Sequence, residues 1–150
     1  RHDASKLEEP EVSLFNTASS ALRGLTYGSE EYNRQIKDTL GPAVEHHYAH
    51  NSHHPEHWDI KGNDGHWVGL GVRRMSLLDQ LEMLADWKAA GERHDNGSLR
   101  KSLDVNRTRF RIPDDQFFIL CKTAMELNWL TVAEFERLTE EVQPHVGRGG

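Results

Sequence analysis

Apolar positions recur along this chain at the three- and four-residue spacing of helices, and no segment alternates with the period of two that marks a half-buried strand. Pro10 closes an N-terminal loop or helix end, and Val12, Phe15 and Leu22 then mark a short helix over 11–23 that stops near Gly24. Ser29 followed by Glu30 and Glu31 starts a second helix, because a capping hydroxyl and first-turn acids satisfy the exposed amides and the helix dipole. Gly41-Pro42 is expected to kink that helix or divide it from a new one, which would carry a run of histidines to about His54.

Residues 55–74 hold Pro55, Gly62, Gly65, Gly69 and Gly71 and read as a loop of the kind that lies over a site. Ser76 and Asp79 resemble a capping box for a helix running to about Ala90 and stopping at Gly91. Its apolar face is expected at Leu77, Leu78, Leu81, Leu84 and Ala85. Asn96-Gly97 signals a turn, and helical stretches resume at Ser98. Pro113 opens a helix with Phe117, Phe118, Leu120, Cys121, Ala124, Met125 and Leu127 at helical spacing, and Thr131 with Glu134 caps a last one that ends before Pro144. The expectation is all-α: a compact helical bundle in one domain spanning 1–150.

Composition changes that picture in one respect. There are 150 residues with a formal net charge of -6, which disfavours strong non-specific binding to nucleic acid while leaving room for a local basic pocket. No apolar run has the length of a membrane span and no signal peptide is visible, so a cytoplasmic location is expected. The single cysteine, Cys121, rules out an intramolecular disulfide and falls in a core pattern. Histidine is the outlier: of ten, six (His46, His47, His50, His53, His54 and His57) lie within twelve residues.

That cluster is internal and interleaved with Tyr48, Asn51, Glu56 and Trp58, so it is no purification tag. On a helix, His47, His50 and His54 share a face, and so do His46, His50 and His53. Two or three imidazoles on one face need only a carboxylate to hold Zn, Fe, Mn, Co or Ni, although a solvated histidine-rich helix is the plainer reading of any one of them. His2-Asp3 with Lys6 three residues on supplies adjacent metal ligands and a cation for a neighbouring anion, and a frayed terminus is its alternative. Glu82 and Asp86 share a face of the Ser76 helix, and Asp86, between Ala85 and Trp87, is placed like a buried ligand. No HExxH, GxSxG or phosphate-binding glycine loop is present.

In order, the chain reads HD…SK, a histidine, a His-His pair followed by Glu, and an aspartate. This pattern resembles the HD superfamily of metal-dependent phosphohydrolases. HDASK is similar to the HDxGK form of its HD-GYP phosphodiesterase branch, and HHPEHW to the HHE stretch there. The chain departs from that branch in its tighter histidine spacing and in lacking a GYP. The superfamily also has a histidine on a helix ahead of the HD pair, before the point where this sequence begins. A closer resemblance, over nearly the whole chain, is to a small family of uncharacterised phage and bacterial proteins. It rests on HDASKLEEPE, GSEEYN, NSHHPEHW and MSLLDQLEMLADWKAA followed by Arg93, and it names no reaction.

The superfamily resemblance implies an HD-like bundle holding one or two divalent transition-metal ions. His2, Asp3, His47, His53, His54 and Asp86 would be the ligands. A metal-activated water would attack the phosphorus of a nucleotide or related small phosphate ester. Glu56 is then the candidate general acid or base and Lys6 a phosphate-holding cation. Asn51, Glu82, Arg74, Lys88 and Arg93 are candidate substrate contacts, and Trp58 or Trp67 would either stack on a base or pack on the core. A di-iron oxygenase and a non-catalytic metal-binding protein are the other classes open to this pattern.

Overall fold

A computed structural model describes residues 2–21, 30–93 and 97–142. The expected start near Ser29, the stop near Gly24, Asn96 and Pro144 lie outside the described residues. Among those described there are eight α-helices and one 3-10 turn but no strand, with a single isolated antiparallel bridge between Lys61 and Trp67. The all-α expectation therefore holds. The chain divides into two compact units, residues 1–52 and residues 53–150.

The first unit is built from the 3-10 turn Ala4–Leu7, α1 (Glu11–Ala21) and α2 (Glu30–His50). The helices pack on each other and the turn packs on both. The Gly41-Pro42 break does not occur, and α2 runs unbroken for 21 residues with Pro42 inside it. A mid-helix proline removes the hydrogen bond to the carbonyl four residues back. Here Pro42 and that residue, Asp38, are both exposed, so water can take the orphaned carbonyl, while the adjacent Ala43 is fully buried. The helix ends at His50 rather than His54 because Asn51 turns back: its Nδ2 donates to the His47 carbonyl oxygen at 2.7 Å, satisfying one of the last turn's open acceptors.

The second unit starts with two single turns, α3 (Pro55–Trp58) and α4 (Gly71–Arg74), joined by the loop that carries the Lys61–Trp67 bridge. That loop is tied to a buried carboxylate. Asp59 accepts from the backbone amides of Ile60 at 2.8 Å, Gly69 at 2.9 Å and Leu70 at 3.2 Å. Gly69 reaches the carboxylate at φ 92, a conformation in which a side chain is strained.

Four longer helices follow: α5 (Leu77–Glu92), α6 (Leu99–Arg109), α7 (Asp114–Glu126) and α8 (Val132–Thr139). The capping boxes at Ser76/Asp79 and Thr131/Glu134 are both complete, each hydroxyl accepting the third amide while the acid accepts the cap amide in return. The core gathers Met83, Leu84 and Trp87 of α5, Leu99 and Leu103 of α6, and Phe117, Leu120, Cys121 and Ala124 of α7. On α7 four of the expected residues, Phe117, Leu120, Cys121 and Ala124, are buried, whereas Phe118 and Met125 are half-buried and Leu127 is exposed. On α5 the departure is larger: the buried stripe is Gln80, Met83, Leu84, Trp87 and Gly91, and Leu77, Leu78 and Leu81 are exposed.

Nor does Gly91 stop α5. It serves close approach, since a Cβ there would lie 3.1 Å from the backbone of Ser98 at the start of α6. Trp58 and Trp67 pack partly buried against the core, and Trp67 lies 6.2 Å from Phe110. No described helix is long and apolar enough to cross a membrane.

Candidate metal centre

In the first unit the chain around the 3-10 turn and two helices bring together the polar side chains of His2, Asp3, Ser5, Lys6, Glu11, His46, His47 and Asn51. Asp3 precedes the turn in the left-handed region at φ 52 and ψ 32, where aspartate is one of the few non-glycine residues tolerated, and such outliers gather at functional sites. Its Oδ2 accepts from Lys6 Nζ at 2.5 Å and lies 3.3 Å from His2 Nε2. Its Oδ1 faces His47 Nε2 at 3.4 Å. The opposite nitrogen of His47, Nδ1, lies 2.9 Å from Oε2 of Glu11, and His46 Nδ1 lies 2.8 Å from the other oxygen of the same carboxylate. Asn51 Nδ2 also donates to Ser5 Oγ at 2.7 Å, which ties the end of α2 to the turn that carries Asp3. His47, Asn51, Ser5 and Glu11 are all buried, Glu11 completely.

The electrostatics follow from these contacts. For Asp3 burial alone would raise the carboxyl, but the hydrogen bond and charge of Lys6, with His2 and His47, outweigh it and hold the group below its ordinary range. Glu11 behaves alike: burial opposes ionisation, and hydrogen bonds from His46, Ser5 and His47 overcome it and lower its value. Both carboxylates are therefore charged at neutral pH. Two carboxylates, those of Asp3 and Glu11, and the ammonium of Lys6 are the formal charges beside the imidazoles of this cluster. Asp3 and His47 offer donor atoms within 4.8 Å of one another, close enough to share a metal ion. Two ligands at ~2.1 Å from a tetrahedral ion are ~3.4 Å apart; the His47–Asp3 pair has that separation.

In the second unit His53, which is buried, has its Nδ1 3.6 Å from Oε1 of Glu82 on α5. The His53 and His54 rings lie 4.3 Å apart, and each offers a nitrogen within 4.8 Å of the other. Glu82, read from sequence as a substrate contact, is thus the α5 carboxylate that meets a histidine. Asp86 is half-buried one turn further along α5, and it is not in the groups of described donors lying within 4.8 Å of one another.

The other candidates have local partners. Glu56 is nearly buried and accepts from Arg109 Nη2 at 2.9 Å. Arg74 Nη1 donates to the Trp58 carbonyl at 3.1 Å. Lys88 pairs with Glu92 and lies 6.0 Å over the Trp129 ring, and Arg93 is exposed at the end of α5. Within the histidine run, His50 donates from Nδ1 to the His46 carbonyl at 2.8 Å and stacks on the His46 ring, and exposed His57 packs edge-on to Trp58. Cys121 is fully buried, its thiol pushed up to about 12, which removes it as a thiolate ligand or nucleophile at neutral pH. Glu11 is the residue that sequence reading missed. Its only signal is an acid directly after Pro10, which reads as an ordinary first-turn glutamate.

The fold and this geometry define an all-α protein with a histidine–carboxylate donor cluster. The chain belongs to a family of unknown function (DUF5662), whose model matches residues 1–127 and so includes both donor sets while ending before α8. No curated protein and no solved structure matches it.

Proposed function

We propose that this protein is a metal-dependent phosphohydrolase acting on a nucleotide or a related small phosphate ester. The observation that carries the reading is the His47 Nε2 to Asp3 Oδ1 separation of 3.4 Å, the spacing of two ligands on one tetrahedral ion. The mixed nitrogen and oxygen donors suit Zn, Fe, Mn, Co or Ni. The resemblance of His2-Asp3, the histidine run and the α5 acids to the HD superfamily supports the same reading. On it, His2, Asp3 and His47 would be donors in the first unit, and His53, His54 and Asp86 would be the candidate donors in the second. When bound, such an ion lowers the pKa of a coordinated water and neutralises charge on a phosphoryl group.

The chain's own residues would do the rest. Lys6, 47 % exposed and held beside Asp3, is positioned to share its charge with a substrate phosphate. Asn51 orients His47 through its contacts with the helix end and Ser5, a supporting role in place of substrate contact. Glu56 would act as acid or base only by exchanging the Arg109 contact for a proton on water or leaving group. Arg74, Lys88 and Arg93 supply positive charge for the substrate.

The test is hydrolysis of a panel of nucleoside mono-, di- and triphosphates and cyclic nucleotides, with products separated by chromatography and each of the five metals supplied in turn. Turnover with at least one metal, abolished in Asp3→Ala and weakened in Lys6→Ala, is expected. Tight metal binding with no turnover on any substrate would make the protein a non-catalytic binder. Iron-dependent O₂ consumption would make it an oxygenase.

A further inference from the structure

Glu11 has no place in the proposed chemistry, yet among the described residues of the first unit it is the carboxylate with no solvent exposure. A buried carboxylate needs donors, and the nearest are ring nitrogens of two consecutive histidines one helix away: His46 Nδ1 at 2.8 Å from Oε1 and His47 Nδ1 at 2.9 Å from Oε2. A carboxylate only accepts, so each Nδ1 must carry its proton. A neutral imidazole has one N–H, so Nε2 of each ring then carries the lone pair. For His47 that lone pair is on the side of Asp3 Oδ1.

We infer that Glu11 is a positioning residue: through α1 it fixes His46 and His47 in the Nδ1–H tautomer and presents the His47 Nε2 lone pair as a ligand. Asn51 fits this assignment. Its Nδ2 lies 3.1 Å from His47 Nδ1, where a donor cannot serve a protonated nitrogen, and its protons go to the His47 carbonyl and Ser5 Oγ, both at 2.7 Å. A carboxylate behind a ligating histidine fixes ring orientation and raises ligand basicity, and losing such a group weakens metal binding roughly 10–100-fold. As a metal-positioning role the inference rests on the proposed metal centre; as a tautomer assignment it stands without one.

The experiment separates the two. Long-range ¹H–¹⁵N correlation spectra of metal-free protein with ¹⁵N-labelled histidine report which ring nitrogen carries hydrogen. His46 and His47 are expected to show a protonated Nδ1 and a lone-pair Nε2. In Glu11→Gln the amide offers one acceptor and one donor edge, so one of the two rings must switch to the Nε2–H form. Co²⁺ titration of the same proteins should show roughly 10–100-fold weaker binding in Glu11→Gln. Glu11→Asp, which keeps the carboxylate, should recover part of the loss.

A doubly protonated His47 bridging both carboxylates, or an Nε2–H tautomer in the wild type, overturns the inference. So does Co²⁺ binding of wild-type strength in Glu11→Gln. Should the wild type show the Nδ1–H tautomers but bind no Co²⁺, the tautomer assignment is upheld, while the metal-positioning role fails together with the phosphohydrolase reading. If Glu11→Gln does not fold, the wild-type spectrum alone still decides the tautomer.

Discussion

Asp59 draws the two ends of the irregular stretch between α3 and α4 together, and replacing it gives a quantitative test of how the second unit is built. Its carboxylate accepts three backbone amides, those of Ile60, Gly69 and Leu70, at 2.8 to 3.2 Å from a buried position. Hydrogen bonds to a charged acceptor contribute about 1.5–3 kcal/mol each, and a buried donor left unsatisfied costs about 1–3 kcal/mol. Three such bonds do not add fully, and the exposed backbone around Ile60 lets water replace part of the first.

Asp59→Ala is therefore expected to lower stability by about 2–4 kcal/mol. For a unit of this size that is a drop in melting temperature on the order of 10 °C or more. Asp59→Asn keeps the shape but offers one acceptor oxygen in place of two, so it should fall between. Thermal unfolding followed by circular dichroism gives the first number, and amide exchange at Gly69 and Leu70 shows whether the loss is local. A change in the alanine variant under about 0.5 kcal/mol, typical of an ordinary surface site, would refute the assignment of Asp59 as the anchor of this loop.

Other outcomes follow from the same physics. Leu103, with no exposure, should cost about 2–5 kcal/mol when changed to alanine, read by urea unfolding. Asp3 and Glu11 have folded values lowered from 3.8 and 4.5, so they stabilise the first unit fully above those ordinary values. That contribution is lost as pH falls through the lower folded values. An acid titration of helicity in chelator should therefore show a loss below about pH 4 that is smaller in Glu11→Gln. Within the histidine run, His47→Ala should lose metal and His50→Ala should not, measured side by side by Co²⁺ absorbance, because the His50 ring is exposed and lies against His46.

What could be read from the sequence was what depends on neighbours in the chain. Ser76 with Asp79 and Thr131 with Glu134 announce their helices because a capping box is complete within four residues. On α7 the run Phe117 to Cys121 is apolar on every face, so the sequence offered Phe118 and Met125 alongside the four residues that the packing buries. On α5 more than one face is apolar, and only the position of the packing partner decides that Met83, Leu84 and Trp87 go inside while Leu77 and Leu78 do not. Pro42 misled for the same reason: the loss of its hydrogen bond is tolerable only because its side of α2 faces water. For the site, His2, Asp3 and His47 could be named from residue type and order. The partner of His47 could not, since nothing along the chain distinguishes a buried Glu11, thirty-six residues away, from any first-turn acid.

The decisive measurement is the metal content of purified, untagged protein, with Asp3→Ala and Asp86→Ala beside it and helicity checked for each. A metal centre built on Asp3 and His47 requires about one or two equivalents of Fe, Mn, Co, Ni or Zn, present on purification or after loading. Asp3→Ala must lose them while keeping its helices, and Asp86→Ala reports whether that carboxylate belongs to the ligand set. A wild-type protein that is metal-free and cannot be loaded, or an Asp3→Ala variant that loads equally well, would contradict it.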